Sequence, residues 1–249
     1  MKINVEKCAQ ILKEQDNILI LTHAHPDGDT LGCGFALCRA LLKCGKKARV
    51  ICADEIQKKY DYLYSDLEMP DFKEEYIVAV DVATENLLGD LKEQYGGKIN
   101  LCIDHHGTND EYSEYLLLNA DAAAACEVIL KVIKSMNVEI DRGIANCLFT
   151  GITTDTGCFR YSSTTSNTFR AAAELIDYGA NNGALCLKQK QKHMPLLSVF
   201  VSRVCNFLKT KRFALSPLHR ICTKEQARAN LSRRELLRSL AKSKALKLA

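Results

Sequence analysis

The 249-residue chain predicts an α/β fold, a mostly parallel sheet with helices on both faces. Three observations support it. Short apolar runs of strand length alternate with longer stretches of helical period. Turn and cap residues, chiefly Gly, Asp and Thr, mark the junctions. Strand–helix alternation of this kind favours a parallel sheet, because a parallel connection needs a crossover.

The elements follow in order. Residues 17–23, Asn-Ile-Leu-Ile-Leu-Thr-His, read as a buried strand. Asp27-Gly-Asp-Thr opens a helix, with Asp29 or Thr30 as the cap. That helix carries Leu31, Phe35, Leu37, Cys38, Leu41 and Leu42 and stops near Gly45. Residues 47–53, 76–81 and 99–104 give three further strands, and 84–96 a short polar helix. Residues 120–136 have a strong helical pattern. A second helix spans 141–153 and leads into a loop at Asp155, and a third spans 165–178 and ends near Gly179.

Composition excludes several classes. Apolar residues make up 47% and charged residues 26%, as in an ordinary globular protein. No apolar run reaches the roughly 18 residues of a membrane span, and the first residues lack the apolar stretch of a secretory leader. The 12 cysteines form no Cys-x-x-Cys pair, which disfavours a zinc knuckle or redox motif. Reduced, buried thiols in a cytoplasmic protein are expected. The net charge of +4 hides a split: 16 Lys/Arg but only 2 Asp/Glu lie from Cys186 onward, leaving 18 basic and 28 acidic residues before it.

Four short segments rich in Asp and His stand out. They are His23-Ala-His-Pro-Asp27-Gly-Asp29, Val80-Asp81, Asp104-His105-His106 and Thr153-Thr-Asp155-Thr-Gly157. At least three directly follow a predicted strand. In open parallel sheets, ligands bind beyond the carboxyl ends of strands, where strand order switches. Each segment alone has an ordinary reading as a cap, turn or surface pair. Gly28, Gly32 and Gly34 do not match the spacing of a dinucleotide fingerprint. Together the four segments converge on one sheet edge. Carboxylates with a few imidazoles suit Mn²⁺ or Mg²⁺ better than thiolate chemistry. Two such ions about 4 Å apart activate water and stabilise the attacking and leaving oxygens at phosphorus. Asp81 is the candidate bridge between them.

His-x-x-Pro-Asp-Gly-Asp, Val-Asp, Asp-His-His and Thr-Gly-Ile-x-Thr-Asp-Thr-Gly-x-Phe-Arg, in this order over roughly residues 5–185, resemble the DHH phosphoesterases. Within them, the resemblance is to the bacterial oligoribonuclease and 3′-phosphoadenosine 5′-phosphate phosphatase group. It implies two Mn²⁺ ions, with Mg²⁺ as the alternative. His23, Asp27 and Asp81 would hold one; Asp29, Asp81, His105 and Asp155 would hold the other. Asp104 would orient His105, His106 would face the scissile phosphate, and Arg160 would contact substrate phosphate. His25 falls at a variable position. Cys33 stands where the family often has Ser. The implied substrate is a short RNA or a bisphosphorylated nucleotide. Pyrophosphatase or cyclic-dinucleotide phosphodiesterase activity stays open, as does metal and nucleotide binding without turnover. No membrane is implied, and a homodimer remains an option.

The tail departs from this pattern. The family continues into a second domain with a glycine-rich substrate loop, yet no Gly follows Gly183. Reading the codons one frame over lets Gln189 to Phe200 encode Glu-Thr-Lys-Ala-Tyr-Ala-Ala-Ala-Glu-Arg-Ile, and the Met194-Pro195 junction then forces an Ala codon. The expected organisation is therefore a catalytic domain over 1–184 and an irregular basic tail over 185–249, a frame-shifted or truncated remnant of the second domain. The rival is an authentic basic RNA-binding extension.

Overall fold

A computed structural model describes residues 1–181. The expectations about the basic tail lie outside the described residues.

The described residues form a five-stranded parallel sheet in the order β2-β1-β3-β4-β5. The strands are β1 (Ile18–Leu21), β2 (Ala48–Ile51), β3 (Tyr76–Val80), β4 (Leu101–Asp104) and β5 (Tyr115–Leu118). The helices are α1 (Val5–Glu14), α2 (Gly28–Lys43), α3 (Leu91–Tyr95), α4 (Ala125–Ser135), α5 (Arg142–Asp155) and α6 (Ser166–Asp177). Short 3₁₀ turns occupy Lys58–Leu63 and Glu85–Leu88. From β1 the chain steps outward to β2, then returns to the other side of β1 for β3. The crevice between β1 and β3 is therefore the switch point at which such sheets bind ligands.

Strand alternation divides the core. Ile18, Ile20, Tyr76, Val78 and Val80 join the large cluster with apolar residues of α1, α2, α4 and α5. Leu19, Leu21, Ile77 and Ala79 turn to the other face, against Val82, Leu88, Tyr95 and Ile99. The expected helices on both faces are present but unequal. The second face is covered by one turn of 3₁₀ helix and the five-residue α3, in place of a continuous helix over 84–96.

Three local expectations are corrected. Asp27, rather than Asp29 or Thr30, caps α2, its carboxylate accepting from the backbone N–H of both. Asp155 is the last residue of α5 and not part of a loop. The helix expected from 120 begins at Ala125, and Ala124 supplies no side-chain cap.

Two glycines let α2 and α5 approach closely. A Cβ on Gly32 would lie 2.5 Å from the Cys147 carbonyl oxygen, and one on Gly151 would lie 2.4 Å from Asp29 Oδ1. Thr30 locks the switch point: it is buried, its Oγ1 accepts from His23 N–H and donates to the Val80 carbonyl, at 3.3 and 3.2 Å. The loops after β1 and β3 are thereby held in register.

Candidate metal centre

The loop after β1 presents His23 and Asp27. His23 Nδ1 lies 2.7 Å from the Ala24 carbonyl oxygen, which aims Nε2 at Asp27 Oδ1 and Asp81 Oδ2, 3.7 and 3.8 Å away. Asp81 follows β3 directly in a left-handed conformation, φ +59°, and is 3% exposed. Its other oxygen, Oδ1, lies 3.5 Å from His105 Nε2 and 3.6 Å from His106 Nδ1. The two oxygens of one buried carboxylate thus face two separate groups.

The second group gathers around His105. Its Nδ1 is 3.1 Å from the Ala122 carbonyl oxygen. Its Nε2 is 3.3 Å from Asp155 Oδ2 and 3.9 Å from Asp29 Oδ2. Asp29 is fully buried and takes over the cap that α4 lacks: Oδ2 accepts from Ala125 N–H at 2.6 Å and Oδ1 from Cys126 N–H at 3.0 Å. A carboxylate at a helix N-terminus is favoured by the helix dipole as well as by the two hydrogen bonds.

Asp104 differs from expectation. Its Oδ1 accepts from His105 N–H at 2.7 Å and lies 2.8 Å from His106 Nδ1. It therefore orients the ring of His106, while the ring of His105 is turned by Ala122. Asn109 donates to Asp104 Oδ2 at 2.6 Å; this supporting residue was not foreseen, because its only signal is a position five residues past the aspartate. His106 is half-exposed, its ring tilted against that of His105 with centroids 4.4 Å apart. Arg160 is exposed in the turn after α5, and its Nε donates to the Gly157 carbonyl. His25 turns away: both its N–H and its ring Nδ1 lie 2.7 Å from Asp54.

Electrostatically the cluster calls for positive charge. Burial pushes the Asp81 carboxyl up to about 6, with the charges of Asp27 and Asp155 adding to the effect. Burial also raises Asp29 well above the ordinary range, reinforced by Asp81 and Asp155. Burial works against the charge on His23, but Asp27, the Ala24 carbonyl and Asp81 outweigh it and raise the ring to about 9. His105 rises against the same penalty to about 11, through Asp155, Asp81 and Asp29. Burial and neighbouring carboxylates thus raise Asp81 and Asp29, and the carboxylates raise both imidazoles, whereas at Asp27 burial is outweighed by His23 and the carboxyl stays below its usual range.

A divalent cation fits that demand. Asp81 Oδ1 and His105 Nε2 are buried and have no hydrogen-bond partner among the described residues. Unpaired buried polar atoms are costly, and bound ions are one resolution. The groups His23–Asp27–Asp81 and Asp29–His105–Asp155 each bring their ligand atoms within 4.8 Å of one another. Oxygen donors with one imidazole per group are a donor set for a divalent cation.

Comparison with known proteins agrees in fold and family. A bifunctional oligoribonuclease and PAP phosphatase NrnA of Thermus thermophilus is 35% identical over 177 residues, covering 69% of this chain and 53% of that protein. A probable bifunctional oligoribonuclease and PAP phosphatase NrnA of Streptococcus mutans is 29% identical, covering 70% of this chain and 56% of the relative. The chain thus spans about half the length of the curated relatives it matches. The crystal structure of an exopolyphosphatase-related protein from Bacteroides fragilis shares the fold, with a TM-score of 0.68 at 18% identity, covering 83% of this chain and 64% of that one. No helix among the described residues is long and apolar enough to cross a membrane. The N-terminal domain of the DHH family matches residues 17–152, more than half of the sequence, and the chain belongs to that family.

Proposed function

We propose that this chain is a metal-dependent phosphoesterase acting on short oligoribonucleotides or on 3′-phosphoadenosine 5′-phosphate. The observation that carries the reading is Asp81, whose two oxygens face the two halves of the cluster. His23, Asp27 and Asp81 would hold one ion; Asp29, Asp81, His105 and Asp155 would hold the second. Mn²⁺ is the ion favoured, with Mg²⁺ as the substitute. Ions so held would supply positive charge toward phosphoryl oxygens and an acidified water at neutral pH.

The chain's own residues do the rest. Asp81 fixes the spacing of the two halves. Asp104, braced by Asn109, holds His106 Nδ1, which leaves Nε2 for the substrate. The Asp104 hydrogen bond, against the cost of burial, raises the His106 pKa. The ring then carries a proton to give to the leaving oxygen, a general-acid role. Arg160 is assigned to the substrate's outlying phosphate, supported by its exposed position five residues beyond Asp155.

The test is Mn²⁺-dependent release of phosphate or mononucleotide from 3′-phosphoadenosine 5′-phosphate and a short RNA by the full chain. Turnover abolished by a chelator and restored by Mn²⁺ is expected. Two Mn²⁺ bound with no turnover on either substrate would overturn the enzymatic reading and leave a metal- and nucleotide-binding protein. Turnover of pyrophosphate or a cyclic dinucleotide alone would overturn the substrate assignment.

A further inference from the structure

Beside Asp29 lie two thiols that the proposed chemistry does not use. Cys33 sits on α2 and Cys126 in the first turn of α4, and both are fully buried. Their sulfurs are 3.4 Å apart, and Cys33 Sγ is 3.8 Å from Asp29 Oδ1. Ligand atoms of all three residues lie within 4.8 Å of one another. The space for Cys126 is shaped by two glycines: a Cβ on Gly32 would come within 3.0 Å of its sulfur, and one on Gly151 within 2.3 Å.

We propose that Cys33, Cys126 and Asp29 form a binding site for a thiophilic divalent cation of the Zn²⁺ or Cd²⁺ class, distinct from the oxygen-rich centre and adjoining it through Asp29. Two sulfurs and one carboxylate oxygen are a donor set that such ions select over Mn²⁺ or Mg²⁺. The spacing agrees as well. With metal–sulfur bonds of about 2.3 Å and metal–oxygen bonds of about 2.1 Å, the edges of a tetrahedron are roughly 3.8 Å between sulfurs and roughly 3.6 Å between sulfur and oxygen. The sulfurs, 3.4 Å apart, would have to separate by about 0.4 Å and the sulfur and oxygen, 3.8 Å apart, to close by about 0.2 Å to reach those edges. Each sulfur releases its proton to solvent as it coordinates, because a bound dication deprotonates a ligating thiol. Asp29 keeps lone pairs for this task while its two oxygens accept the α4 N–H groups.

The site is read directly from sulfur, so its fate is separate from that of the phosphoesterase reading. The full chain, kept reduced with a phosphine, is titrated with Cd²⁺ in the presence of Mn²⁺ while the ultraviolet sulfur-to-cadmium charge-transfer band is followed. A tight stoichiometric phase is expected in the wild type. It should weaken at least about tenfold in Cys33→Ser and in Cys126→Ser, and persist in Cys44→Ser, whose thiol is exposed. Circular dichroism reports whether each variant is folded; if Cys126→Ser is not, Cys33→Ser decides alone. A tight phase unchanged in folded Cys33→Ser would overturn the proposal and leave the pair as a buried thiol–thiol contact.

Discussion

Replacing Gly151 by Ala adds one methyl group at the point where α2, α4 and α5 meet. The new Cβ would stand 2.3 Å from Cys126 Sγ, 2.4 Å from Asp29 Oδ1 and 3.0 Å from Asp29 Cα. The last contact is backbone, so the strain is not relieved by rotating one side chain. Overpacking of this kind costs about 2 kcal/mol. Displacing the Asp29 carboxylate also removes the cap of α4, about 1 kcal/mol more. Alanine returns about 1 kcal/mol in helix propensity relative to glycine. The net destabilisation is about 2 kcal/mol, equivalent to a fall in Tm of roughly 4–8 °C for a domain of this size. Urea unfolding followed by circular dichroism, with and without Mn²⁺, measures it. Because Asp29 is the group pushed aside, Mn²⁺ should stabilise the variant less than it stabilises the wild type. A Gly151→Ala protein within about 0.5 kcal/mol of wild type, with full stabilisation by Mn²⁺, would refute the packing argument.

Asp81→Asn, which keeps a residue tolerant of the left-handed backbone, should lower turnover by more than about 100-fold, above the loss typical of outer partners; near-normal rates would mean that Asp81 does not bridge. His23→Ala should lose Mn²⁺ affinity while His25→Ala retains it, and equal losses in a binding titration would show the loop reading to be wrong. Asp141→Ala removes the side-chain cap of α5, an Oδ1 accepting from Ile144 N–H at 2.9 Å, and the 2.8 Å ion pair with Lys43, costing about 1 kcal/mol at neutral pH. Burial opposes the charge of Asp141, yet Lys43 and the Ile144 N–H outweigh it and hold the carboxyl below its usual range. Its contribution is therefore present above the unfolded-state pKa and lost as pH falls through the folded one. Wild type and variant should converge in stability in acid, and a constant gap across that range would contradict the assignment.

The sequence was most legible where cause is local. The run 18–21 is apolar at every position and lies buried on both faces, and Gly45 ends α2 with φ +74°. The helix Val5–Glu14 lies outside the expected elements although its signal is local too, since Asn4 caps it and Cys8, Ala9, Ile11 and Leu12 form one buried stripe. β5 has only four residues, too short for an alternation pattern to declare it, although turn residues Gly107, Asn109 and Asp110 precede it and Asn119 follows it. Other features arise from partners far apart in the chain. α4 starts at Ala125 because an aspartate 96 residues earlier supplies its cap. Likewise, nothing in the local sequence brings Cys33 to Cys126, 93 residues away. The candidate ligands were recognisable as a set, but the partner of Asp104 was not. Which imidazole it holds depends on how the chain turns after β4, and that turn is fixed by Asn109 and Ala122.

The backbone at Asp81 also constrains how this protein could evolve. Left-handed φ is tolerated by Gly, and among other residues best by Asn and Asp. Here it is combined with near-complete burial beside other anions. On the proposed function, the carboxylate is needed while the centre is in use. In a lineage that abandoned it, Asn or Gly would discard the buried charge and keep the turn, whereas a β-branched residue would disturb the turn as well. Loss of the chemistry should therefore leave a particular trace, Asn or Gly after an intact strand, in place of random decay. A descendant bearing either residue at this position would remain well folded long after the proposed metal centre had been lost.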